Sequence, residues 1–177
     1  MYPKTLIEAK TIFAGEKKVA RILKKTKTVI CPPHLFVSTI AQSAVGTKDI
    51  SVGAQNAFFE DEGARTGETS PAQIASVGAT YVILGHSERR ALGETDQVIA
   101  QKAIQANKSK LTVILCVGEK VRDDAGSYFN EVGKQLRNSL AGFPKSESKR
   151  LVIAYEPIWA IGAHAVRPAT PDDFHEM

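Results

Sequence analysis

Two apolar runs each end on one ionisable residue and then turn: Tyr81-Val-Ile-Leu-Gly-His86-Ser-Glu88-Arg-Arg90 and Ala154-Tyr-Glu156-Pro-Ile-Trp159-Ala-Ile-Gly162. In a parallel α/β fold the chemistry collects at the carboxyl ends of the strands, so a histidine and a glutamate at these places face one mouth. A carboxylate base beside an imidazole electrophile suits proton abstraction next to a carbonyl. Glu156 follows an apolar strand and precedes Pro157, which fixes the exit of the chain. On local residues alone, a solvated glutamate in a strand-to-loop turn competes with that role. A lone strand-end histidine is likewise often just a satisfied polar group. His86 gains weight from its place just before a short helix starting near Ser87. The positive end of a helix disfavours imidazolium, which leaves a neutral ring able to donate a hydrogen bond to a carbonyl oxygen.

Alternating strand-like and helix-like segments position these two residues, a pattern of repeated βα units around a parallel sheet. Residues 3–25 carry Leu6, Ala9, Phe13, Ala20 and Leu23 at helical spacing, with Pro3 suited to a first turn. A short strand Thr28–Cys31 stops at Pro32-Pro33, a helix runs from about Leu35 to Val45, and Ile50–Ala54 is the next strand. A long polar loop spans Gln55 to Thr69. Ser70-Pro71-Ala72-Gln73 reads as a capped helix start, with Ser as N-cap, Pro at the first position and Gln closing a capping box. Strand Thr80–Leu84 leads to the turn at Gly85-His86; a helix follows from Asp96 to about Asn107, then strand Leu111–Cys116. Tyr128 to Ala141 is amphipathic, with Phe129, Val132, Leu136 and Leu140 on one face. Leu151–Tyr155 is the last strand, and Thr170-Pro171-Asp172-Asp173 opens a helix. Five such strands without a linker predict one domain over residues 1–177. An open doubly wound sheet and part of an eight-stranded barrel both fit; the missing glycine-rich dinucleotide fingerprint favours the barrel.

Composition excludes several classes. No apolar run approaches a membrane span, and the start Met-Tyr-Pro-Lys has no signal-peptide pattern, so a cytoplasmic location is expected. The net charge of +4 gathers on Lys17, Lys18, Arg21, Lys24, Lys25 and Lys27, a solvated helix face with no interleaved aromatics, so nucleic acid is not an expected partner. Cys31 and Cys116 lie in or at the end of apolar strands and read as buried free thiols.

Longer motifs follow one another in a familiar order: Gly53-Ala-Gln-Asn56, Thr66-Gly-Glu-Thr-Ser-Pro71, Gly85-His-Ser-Glu-Arg-Arg90, Gly93-Glu-Thr-Asp96, Cys116-Val-Gly-Glu119 and Ala154–Gly162. On these residues the chain resembles the triosephosphate isomerase family across nearly its whole length. That family is itself the standard worked case of a carboxylate base paired with a neutral histidine. The resemblance implies an incomplete (β/α)8 TIM barrel of about five of the eight parallel strands, the second to the sixth. It implies Glu156 as the base, His86 as the electrophile, Glu88 as its nearby acidic partner, and Gly162 as a backbone donor to the substrate phosphate. The stretch from Trp159 corresponds to the family's lid, which excludes water. The loop with Gln55 and Thr66 corresponds to an arm that enters a neighbouring subunit, so a homodimer is implied, with Arg89 reaching Glu68 of the second copy. The implied substrate is a triose phosphate, in glycolysis and gluconeogenesis, with no metal or organic cofactor.

The chain also departs from the family pattern. Ala163-His164-Ala165-Val166-Arg167-Pro168 replaces a Gly-Lys-type tip and is about two residues longer, with His164 expected as an exposed loop residue. The family's Asn-x-Lys strand before the first helix, and its later Gly-Gly phosphate nests, have no counterpart, so open sheet edges are expected at Thr28–Cys31 and Leu151–Tyr155. Losing one electrostatic group of that kind costs roughly 100- to 1,000-fold in rate. The expectation is therefore a weak or inactive catalyst, or a truncated remnant that serves at most as an oligomerising or binding module.

Overall fold

A computed structural model describes residues 2–23, 25–162 and 165–177. Lys24 of the basic face, and Ala163 and His164 of the lid tip, lie outside the described residues. The first helix, α1 (Leu6–Ile22), precedes β1 (Thr28–Ile30), α2 (His34–Ala44), β2 (Ile50–Ala54) and α3 (Pro71–Ser76). Then come β3 (Tyr81–Leu84), α4 (Ser87–Ala91), α5 (Asp96–Lys108), β4 (Thr112–Val117) and α6 (Ser127–Ser139). A 3-10 turn at Lys145–Arg150 leads into β5 (Leu151–Tyr155), a second at Ile158–Ala160 follows it, and α7 (Pro171–Glu176) comes last.

The five strands form one parallel sheet in the order β1-β2-β3-β4-β5. A doubly wound sheet reverses its order at a switch point. Here each strand lies beside its predecessor, as in a barrel, and the sheet is a curled, incomplete (β/α) TIM barrel. The register pairs Val82 with Val113 and Leu84 with Leu115, and all four are fully buried under the helical layer of α5 and α6. Ile99 and Ala103 of α5 belong to the same core cluster and are fully buried too. Both edges, at β1 and β5, are unpaired among the described residues. Val152 and Ile153 of β5 remain 47% and 44% exposed.

Several local expectations hold in detail. Ser70 caps α3 and Gln73 returns the bond to the Ser70 N–H, completing the capping box. Thr170 and Asp173 do the same for α7. Cys31 and Cys116 are buried and free. Two expectations are corrected. The first helix begins at Leu6 rather than near Pro3, because Thr5 accepts the Glu8 N–H and caps it. In α6 it is Tyr128, not Phe129, that is buried with Val132, while Phe129 stays 43% exposed. Tyr128 stands four residues before Val132, and its ring lies under the Arg122 guanidinium, which holds it inward. Among the described residues no helix is long and apolar enough to cross a membrane.

Candidate active site

His86 and Glu156 meet at the carboxyl edge of the sheet, one beyond β3 and the other beyond β5. The turn into His86 runs through Gly85 at φ +71°, where a Cβ would press on the Cys116 carbonyl at 3.1 Å and Arg90 at 3.0 Å. Glycine meets both demands, the left-handed backbone and the close approach. Arg90 then holds the outside of the turn, donating to the Gly85 carbonyl at 2.7 Å and to Asp96 at 2.6 Å.

The His86 ring is oriented by its own next turn. Nδ1 accepts the Glu88 backbone N–H at 3.3 Å. A ring nitrogen that accepts carries no proton, so the neutral ring carries its proton on Nε2. Nε2 points at Glu156 Oε1, 3.4 Å away. That separation is too long for a strong hydrogen bond and leaves both groups ready for a third one between or beside them. Glu156 Oε2 is buried and has no hydrogen-bond partner among the described residues. Behind it lies Cys116, whose thiol is pushed well above its ordinary value, first by burial and then by the Glu156 charge. The thiol is therefore inert toward chemistry at this place.

The remaining expected residues divide. Gln55 stands at the mouth: its Nε2 donates to the Cys31 carbonyl at 3.0 Å, and it lines, with His34, Asn56, Ile83 and His86, a cleft of about 690 Å³. Glu156 lies in a separate packed recess with Gly85, Ser87 and Gly118. The Glu88 carboxylate is 88% exposed and 3.8 Å from Nδ1, so within this chain its backbone N–H makes the closer contact with the ring. Thr66 is exposed on the arm and is not among the described residues that line this cleft. Gly162 has φ +77° and open space around its Cα. Arg89 pairs with Glu94 of its own chain at 3.2 Å.

Three groups escaped the sequence. Glu119 is fully buried; its Oε1 accepts the Tyr155 hydroxyl at 2.8 Å and the Trp159 indole N–H at 2.7 Å. It joins the end of β4 to both sides of Glu156. Its signal is the same as that of Glu156, an acid just past an apolar strand at the end of the Cys116-Val-Gly-Glu119 motif. Arg167 forks onto Asp173 at 2.7 and 2.8 Å while its guanidinium stacks 4.5 Å from the Trp159 ring. The Val166 N–H donates to the Trp159 carbonyl at 2.7 Å, which ties these two residues together. Lys102 is 4% exposed and bonded to Glu94 and to Asn56, with its ammonium lowered by burial. Among the described residues no cluster of acids, histidines and cysteines has the arrangement of a metal site.

A model of the family described as triosephosphate isomerase matches residues 1–177. Among curated proteins, the triosephosphate isomerase of Moorella thermoacetica (strain ATCC 39073 / JCM 9320) is 42% identical over 155 residues, covering 86% of this chain and 61% of the relative. The chain thus spans less than two thirds of the length of that relative.

Proposed function

The chain belongs to the triosephosphate isomerase family, and from that membership we propose that it serves the interconversion of dihydroxyacetone phosphate and D-glyceraldehyde 3-phosphate through a cis-enediolate. One observation carries the reading: a buried, unpartnered carboxylate oxygen of Glu156 stands beside a histidine whose Nδ1 is already occupied and whose Nε2–H is free to donate. Glu156 removes a proton from the carbon next to the carbonyl and returns it to the neighbouring carbon. The C–H electron pair becomes the C=C bond of the enediolate, and the carbonyl pair moves to oxygen. His86 Nε2–H stabilises that oxygen where charge develops, gives it the proton, and takes up the hydroxyl proton of the neighbouring oxygen as the enediolate collapses, so that the carbonyl passes from one carbon to the next. Gly162 offers its backbone N–H to the phosphate, and the lid from Trp159 to Val166 keeps water from the intermediate.

The proposal extends to a homodimer in which the Gln55–Thr69 arm brings Thr66 to the partner's site. Its setting is glycolysis and gluconeogenesis, in the cytoplasm, and residues 1–177 act as one barrel domain. The arm's irregular course and the exposure of Thr66 support the first of these.

Deuterium exchange into dihydroxyacetone phosphate, followed by NMR in D2O, tests the chemistry even when turnover is slow. The native chain is expected to exchange well below the ~10³ s⁻¹ at the top of the usual enzyme range. Glu156→Gln is expected to slow it by a further ~10²–10⁴-fold. Equal exchange in both proteins would leave only the remnant reading.

A further inference from the structure

Backbone pairing between β4 and β5 continues past the ends of both strands. The Glu156 N–H donates to the Val117 carbonyl at 2.8 Å, and the Ile158 N–H donates to the Glu119 carbonyl at 3.0 Å. Gly118 lies between those two carbonyls, and its own polar groups turn the other way. Its N–H donates to Gln135 Oε1 at 3.0 Å, and its carbonyl accepts from Gln135 Nε2 at 2.9 Å. The side of Gly118 that faces β5 is bare and lies flat on the Glu156 main chain. A Cβ there would come within 1.9 Å of the Glu156 carbonyl oxygen and 2.6 Å of its carbon. Those are distances no side chain tolerates, and the obstacle is backbone, which cannot swing aside.

We infer that Gln135 and Gly118 form a clamp that sets where the Glu156 carboxylate stands against His86, so that Gln135 is a positioning residue for the base. The inference rests on the isomerase reading for the role of Glu156. β5 has no strand beyond it among the described residues, so no backbone pairing on that side fixes the chain at Glu156. The near side does. Only a primary amide of this length carries one acceptor and one donor spaced to satisfy both polar groups of a single residue, as a neighbouring strand would. Glutamate keeps the acceptor and loses the donor; methionine keeps the length and loses both. Gln135 itself is held because α6 packs Val132 and Leu136 against the core on the same side of the helix.

The test compares the native chain with Gln135→Met, Gln135→Glu and Gly118→Ala. The readouts are the ring 15N resonances of His86, assigned by their loss in His86→Gln, and isomerase kinetics. In Gln135→Met the His86 Nε2 resonance is expected to shift as Glu156 moves off its 3.4 Å station. Gln135→Met is also expected to lower kcat about tenfold with KM held within about twofold, and Gly118→Ala to lower kcat about 100-fold, the scale of a misplacement near 1 Å. Gln135→Glu falls between the native chain and Gln135→Met. A folded Gln135→Met with unmoved His86 resonances would overturn the clamp. Should the variants fail to fold, amide exchange in the native chain decides. The Glu156 and Ile158 amides are expected to exchange as slowly as those inside β5, and faster exchange would overturn it. A native chain without turnover whose His86 resonance still moves in Gln135→Met would remove the isomerase reading and keep the clamp. Turnover with an unmoved resonance would do the opposite.

Discussion

The strands that carry His86 and Glu156 are secured in different ways. β3 is central: it pairs on both sides, and Tyr81, Val82 and Leu84 are buried. β5 is an edge strand paired only with β4, and none of its residues is fully buried. Yet both ionisable groups reach their stations. The sheet itself holds His86. Glu156 is held from beyond its strand, by the backbone bonds to Val117 and Glu119, by the bare face of Gly118, and by the Glu119 bonds to Tyr155 and Trp159. The lesson is that packing density of a strand does not by itself say how well the side chain at its carboxyl end is placed.

That contrast can be broken at its strong side first. Leu84→Ala opens a cavity under β3 and is expected to cost about 2–5 kcal/mol. Urea denaturation gives the figure, and a cost no larger than that of a β5 truncation would erase the difference between the strands. Next in size, Glu119→Leu leaves the Tyr155 hydroxyl and the Trp159 N–H without their acceptor and is expected to cost about 2–4 kcal/mol. Trp159 is the chain's only tryptophan, so the same variant should red-shift the intrinsic fluorescence. An unmoved emission maximum would mean that Glu119 does not anchor Trp159.

Acid provides a third probe of the β5 side. Phe174 of α7 packs edge-on against Tyr155 at 5.6 Å, and Asp173 beside it holds Arg167 and Arg122. Arg167 first, then the Thr170 N–H, holds the Asp173 carboxyl far below its ordinary value of 3.8. A carboxyl depressed in the folded state contributes stability that is fully present above the unfolded value. That contribution is lost as pH falls from there through the folded value. Stability is therefore expected to decline below pH 3.8 in the native chain and to decline less steeply in Asp173→Asn. Urea midpoints measured down that range check the sign, and parallel curves would remove Asp173 from the account. The smallest expected effect is at the edge itself. Ile153→Ala, at a residue 44% exposed, is expected to cost less than about 1 kcal/mol by the same urea measurement.

Much of the frame was legible because it is local. Ser70-Pro71-Ala72-Gln73 announces its helix through bonds that span three residues, and the structure shows both of them. The β-branched runs located all five strands to within one or two residues. The misses share a cause. Phe129 and Tyr128 sit side by side in sequence, and the choice between them was made by Arg122, on a different segment. Lys102 looks like an ordinary helix lysine, and only the arrival of Asn56 and Glu94 makes it a buried one. Arg89 is a separate case: its expected partner belongs to a second subunit, and within its own chain Glu94, five residues on, takes its guanidinium.

His86 and Glu156 divide along the same line. The sequence determined the chemistry of His86 almost alone, because the N–H that occupies Nδ1 belongs to Glu88, two residues on, and the turn that aims the ring is Gly85. It determined that Glu156 ends a strand, and no more. Where that carboxylate stands was decided by Gly118, Glu119 and Gln135, which lie between 21 and 38 positions away and meet it only when β4, β5 and α6 pack together. Bonds within one turn are written in neighbouring residues. A backbone surface bare enough to seat another strand's carbonyl exists only once both strands are in place.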